Sequence, residues 1–126
     1  MHRSNIKKFI IYWLPVIFWA GIIFYLSAVP NLNSGLETFY DVFLRKLAHV
    51  TEFAVLNFLI FRALCGYDVA FKKALVWGLI AAAFYAFSDE AHQYFVPLRQ
   101  ARLADVAIDN LGVLFASAII FLVKRK

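Results

Sequence analysis

The sequence predicts an all-α membrane protein: a bundle of four transmembrane helices forming one domain over residues 1–126. Three observations predict it. The chain is 63% hydrophobic and 18% aromatic, with a mean hydropathy of +0.73, well above what a soluble domain of this length buries. Its apolar residues fall into long runs, close to the ~20 residues that cross a bilayer as a helix. Lys and Arg gather at the ends of those runs, where they set topology. The formal charge of +5 is therefore a membrane signal, and no nucleic-acid patch is expected. One cysteine, Cys65, excludes an intrachain disulfide and reads as apolar packing near a helix end.

The first span is Phe9–Leu26, preceded by His2, Arg3, Lys7 and Lys8. Pro15 lies inside it, which a membrane helix tolerates. A cleaved leader is the rival reading, disfavoured by the length of the run and by Pro30 just beyond it. Asn31–Arg45 is broken by Gly35 and reads as a loop, with Leu36, Phe39, Tyr40, Phe43 and Leu44 giving it an amphipathic half. That half is expected to lie along the interface as a short helix between helices 1 and 2. The second span is about Leu47–Leu64, and Arg62–Lys73 reads as a turn. The third begins near Ala74 and must continue to Val96 to reach spanning length, with Pro97 ending it. The fourth is Val106–Val123. Arg3, Lys7, Lys8, Arg62, Lys72, Lys73, Lys124, Arg125 and Lys126 fall on one side, and Arg45, Lys46, Arg99 and Arg102 on the other. The imbalance places both termini in the cytoplasm.

Within this apolar chain, Ser88–Asn110 is an anomaly. It carries Asp89, Glu90, His92, Gln93, Arg99, Arg102, Asp105, Asp109 and Asn110. Ionisable groups at membrane depth are costly and usually face a bundle interior or a wet cavity. A second polar patch surrounds His49. Helical geometry puts Arg45, His49 and Glu52 on one face of the second span, with Lys46 on its flank. On the third, Gly78, Ala82, Ala86, Asp89 and Gln93 form one ridge, small inside and polar outside. Asp105, Asp109, Gly112 and Ala116 do the same on the fourth. Small residues permit close helix contact, so the three polar ends are expected to turn toward one another at the outer face.

The bland account is an ion-pair network: His49 bonded to Glu52, Arg99 or Arg102 paired with Asp105, and loop arginines on lipid phosphates. Adjacent like charges, Asp89 beside Glu90 and Asp105 a turn from Asp109, argue for more than stability. Three chemical readings stand beside it. Asp89, Asp105 and Asp109, with His49, hold a divalent cation that grips a phosphate. Alternatively, His49, Glu52 and Glu90 act as general acid and base on a lipid-linked substrate, with Arg99 and Arg102 clamping its phosphate. In the third reading Lys46, Gln93, Arg99, Arg102 and Asn110 help to bind a ligand and no bond is broken. A proton relay through Glu52 and Asp109 is weaker, because only Asn57 continues it inward. Asp89-Glu-Ala-His-Gln lacks the second histidine of a zinc-protease helix, and no serine sits in a nucleophile elbow.

Four motifs occur in a recognisable order: Ser27-x-x-Pro30 followed by Ser34; Lys46-x-x-His49-x-x-Glu52-Phe53-x-x-Leu56; Ser88-Asp89-Glu90-x-x-Gln93-x-Phe95-x-Pro97-x-Arg99; and Asp105, Asp109, Asn110 and Gly112. Along nearly its whole length the chain resembles VanZ-like membrane proteins. It departs from them at Phe53, where Tyr is common, and at Ala116, where Gly is. The resemblance implies a multi-pass protein of the bacterial plasma membrane with a role in low-level resistance to the lipoglycopeptide teicoplanin. It implies membrane lipids as partners, and as ligand a lipid-linked cell-wall precursor or the lipoglycopeptide itself. It brings no settled activity and no fixed cofactor. An enzyme acting on phosphate or pyrophosphate headgroups is the alternative.

Overall fold

A computed structural model describes residues 2–28, 38–95 and 103–125, and among these there are four helices and no strand. They are α1 (His2–Ala28), α2 (Thr38–Gly66), α3 (Phe71–Tyr94) and α4 (Leu103–Arg125). Each contains a stretch long and apolar enough to cross a membrane: Ser4–Leu26, Phe43–Gly66, Phe71–Tyr94 and Val106–Lys124. Pro15 sits within α1, as its membrane setting permits.

Two boundaries differ from the sequence reading. Among the described residues no separate interfacial helix precedes the second span; from Thr38 onward they are the first turns of α2 itself. Neither Pro nor Gly occurs between Thr38 and Cys65, so nothing interrupts the helix once it starts. The third helix begins at Phe71, not Ala74, and ends at Tyr94, not Val96. It gains length at its basic start, where Lys72 and Lys73 are exposed and long stems can carry charge to the interface.

The turn between α2 and α3 is correspondingly short. Asp68 adopts φ 64°, a left-handed conformation that Asp tolerates better than most residues. Its N–H donates to the Cys65 carbonyl at 3.1 Å, and the Val69 N–H to the Leu64 carbonyl at 3.1 Å. This is the paired capping pattern that closes a helix C-terminus, with Asp in the place glycine usually takes.

Interhelical contacts fix the topology. Lys8 lies 4.6 Å from the Tyr67 ring centroid, and Arg62 donates to the Ile11 carbonyl at 2.9 Å. The start of α1 therefore meets the end of α2. Lys124 lies 4.2 Å over the Phe71 ring, so the end of α4 meets the start of α3. Asn57 and His49 of α2 reach Ser117 and Asp109 of α4 in matching order, so those two helices run parallel. The result is an up-down-up-down bundle. Lys8, Arg62, Lys72, Lys73 and Lys124 lie at one end. α2 is its centre and packs on the other three, while α1 and α4 make no contact among the described residues.

The core is Ile23, Phe53, Leu56, Ile60, Ala82, Ala86 and Val113. On α3 the buried face is Ala74, Gly78, Ala82, Ala86, Asp89, Glu90 and Gln93, a ridge of small residues that turns polar. Large apolar side chains such as Phe18, Phe84 and Phe115 are exposed. That inversion is stable in lipid, where exposed apolar surface carries no penalty and close packing of small residues holds helices together.

Candidate functional site

The polar ends of three helices converge opposite the lysine-rich end. His49 lies three turns into α2 and Asp109 early in α4. The His49 Nδ1–H donates to Asp109 Oδ1 at 2.9 Å. The carboxylate of Asp109 is fully buried, while the imidazole keeps a minority of its surface exposed. Asp89, on α3, completes the group: one ligand atom from each of His49, Asp89 and Asp109 lies within 4.8 Å of the others. Glu52 and Asp89, together with Asp109, are close enough to act electrostatically on His49.

The backbone explains why this meeting is possible. Gly112 sits one turn below Asp109, and Val50 follows His49. A Cβ built on Gly112 would overlap the Val50 carbonyl oxygen and lie 3.0 Å from the Val50 Cα. The absent side chain lets α4 press against α2 where His49 and Asp109 must touch. One layer deeper, Asn57 is fully buried. Its Nδ2 donates to the Val113 carbonyl at 2.7 Å and to Ser117 Oγ at 2.8 Å. Bonds of this kind between membrane helices contribute about 0.6 kcal/mol on average, but their direction fixes the rotation of α4.

α1 braces the site from the other side. The Trp19 indole N–H donates to the Glu52 carbonyl at 2.8 Å, and the Tyr85 hydroxyl to the Ala20 carbonyl at 2.7 Å. Trp19 is thus a packing and hydrogen-bonding residue of the bundle. His92 stacks on Phe24 with centroids 4.4 Å apart and planes at 14°, which directs it toward α1.

The candidate residues from the sequence fall into four groups. His49, Asp89 and Asp109 meet, with Glu52 half-buried nearby. Glu90 and Gln93 are buried along α3, at 6% and 4% exposure, and Asn110 is half-buried on α4. Lys46 is exposed and does not enter the buried cluster. Arg99, Arg102 and the Asp105 side chain lie outside the described residues. The bond at His49 Nδ1 runs between helices, to Asp109. Ser117 was missed. In an apolar run a serine reads as a small packing residue, and only its i, i+8 relation to Asp109, through Val113, marks it as part of a polar ridge.

Gln93 Nε2 and Asn110 Oδ1, at this end of the bundle, are buried and have no hydrogen-bond partner among the described residues. The arrangement suits two kinds of chemistry. A buried carboxylate on His49 Nδ1 fixes the tautomer and leaves Nε2 with its lone pair, the orientation a general base needs. The same three side chains offer one nitrogen and two carboxylates to a cation.

A family model described as VanZ/LLP1 matches residues 4–124. No match was found among curated proteins or among solved structures.

Proposed function

Because the chain belongs to the VanZ/LLP1 family, we propose that it is a multi-pass protein of the bacterial plasma membrane whose polar bundle end binds a lipid-linked cell-wall precursor or a lipoglycopeptide. Through that binding it confers low-level resistance to teicoplanin. The supporting observation is the convergence of His49, Asp89 and Asp109 from three helices, with Glu90 and Gln93 buried alongside. Such groups are expensive in a membrane and mark ligand paths or sites. A headgroup with its own hydrogen-bonding groups would help to offset the cost of burying them.

The lysine-rich end faces the cytoplasm, following the excess of Lys and Arg there, and the His49 end faces outward, where glycopeptides act. In a Cys65→Ser background, a cysteine introduced as Ser34→Cys is expected to react with an impermeant thiol reagent on intact cells. Labelling only after permeabilisation would reverse the orientation and place the site on the wrong face for this function.

The test of binding uses the purified protein in lipid discs, offered polyprenyl phosphates, polyprenyl pyrophosphates and teicoplanin in turn. Retention of one of these by the wild type, falling at least ~10-fold (about 1.4 kcal/mol) in His49→Ala, is the expected result. Equal retention by both proteins, or none by either, sinks the reading.

The His49–Asp109 geometry favours one alternative. With Asp109 orienting the imidazole, Nε2 can remove a proton from a nucleophile attacking a headgroup phosphate. A new lipid product in the mass spectrum, formed by the wild type and absent with His49→Ala, would replace the binding reading by an enzymatic one.

A further inference from the structure

We infer that His49, Asp89 and Asp109 form a divalent transition-metal site, with Zn²⁺ or Mn²⁺ as the cation and a phosphate oxygen as its exchangeable ligand. The inference concerns the same bundle end as the function proposed above. The metal site itself stands on geometry alone; only the phosphate as fourth ligand rests on that function.

Geometry is the first support. The three donors come from three different helices and lie within 4.8 Å of one another, so the folded bundle assembles them. His49 Nδ1 and Asp109 Oδ1 are 2.9 Å apart. Two bonds of about 2.1 Å leave donors about 3.4 Å apart at a tetrahedral angle and about 3.0 Å apart at an octahedral one, so the pair need open by only about half an ångström at most. The pair is therefore spaced as adjacent ligands of one ion, and the ion takes the place of the proton that Nδ1 now gives to Oδ1. That proton leaves to solvent when the metal enters.

Charge is the second. Two carboxylates on separate helices repel in a low-dielectric setting. A divalent cation balances the charges of Asp89 and Asp109 and turns their repulsion into two bonds. The donor set chooses the metal. One imidazole and two carboxylate oxygens suit zinc or manganese. Calcium wants six to eight oxygens, and thiolate-seeking metals find no sulfur here.

The third support points to the open position. Three protein ligands leave room for a further one, the pattern of sites that handle substrate rather than merely hold structure. Gln93 follows Asp89 by one helical turn on the buried face of α3, at 4% exposure, and its Nε2 has no partner among the described residues. An amide N–H₂ cannot bind a cation, but it can donate to an anionic oxygen that does. One turn from Asp89, it is placed to serve a phosphate held by the metal.

The experiment uses the full chain in lipid discs, stripped with chelator and dialysed, then equilibrated separately with Zn²⁺ and Mn²⁺. Bound metal is counted by elemental mass spectrometry and affinity measured by calorimetry. One equivalent per chain is expected, with affinity falling at least ~10-fold in Asp89→Asn and in His49→Gln. Gln93→Leu should leave metal affinity unchanged and weaken only the added affinity for inorganic phosphate. Absence of a stoichiometric metal in the wild type overturns the site, as does binding that survives both ligand substitutions. If metal binds but no lipid or drug is retained, the functional reading fails alone. If lipid is retained equally in chelator, the phosphate is not a ligand of the metal and that part of the inference fails alone.

Discussion

Gly112→Ala is expected to unseat α4 from α2. The added Cβ would overlap the carbonyl oxygen of Val50 and sit 3.0 Å from its Cα. Both are backbone atoms of the central helix, so no side-chain rotation relieves the clash and the two helices must part. Overpacking of this kind typically costs about 1–3 kcal/mol and occasionally more. Here separation also lengthens the His49–Asp109 bond and the two bonds from Asn57, so a loss of about 3 kcal/mol or more is expected. Gly21→Ala is the control. No atom lies within 4 Å of its Cβ position, and alanine should gain up to about 1 kcal/mol in helix preference. Thermal melts of the two variants in the same detergent, with size-exclusion profiles, separate local packing from a general dislike of alanine. A Gly112→Ala protein that melts with the wild type would show that the tight α2–α4 contact does not hold the bundle together.

The contrast between these glycines also shows what was legible in the chain. The spans of α1 and α4 follow from apolar length alone, because length against bilayer thickness is nearly the whole problem for a membrane helix. The first turns of α2 were not legible in that way. An amphipathic stretch such as Tyr40–Leu44 satisfies an interface as well as a continuing helix, and only tertiary context decides between them. The polar ridges on α3 and α4 could be read from the i, i+4 spacing of Asp89 with Gln93 and of Asp105 with Asp109. Their partners could not. A three-residue separation makes Glu52 the natural neighbour of His49, whereas the bond joins residues 60 apart in sequence and depends on how deeply Gly112 lets α4 approach. Lys46 shows the same limit from the other side. It lies near His49 in sequence and within one motif, yet the rotation of α2 turns it outward.

Replacing His49 and Asp109 together by leucine is expected to leave a bundle at least as stable as the wild type and wholly without function. Taking a carboxylate out of water costs several kcal/mol, and its attraction to a partner seldom repays the whole. Two leucines of fitting size carry no such cost in a core already built from Phe53, Leu56 and Val113. The single changes should differ. His49→Leu leaves a fully buried Asp109 without its imidazole and should lower stability by about 3–5 kcal/mol. Asp109→Leu leaves a neutral imidazole that retains some exposure, so its cost should be smaller. Thermal melts of the four proteins close a double-mutant cycle, and headgroup retention with metal content reads function alongside. A double variant destabilised about as much as the worse single would make the pair a structural staple, with the site held for folding, and one destabilised by the sum of the two singles would mean that the side chains do not act through each other. A stable but inert double variant would mean the opposite: that a membrane bundle able to fold without these charges keeps them, at a standing cost in stability, for what they bind.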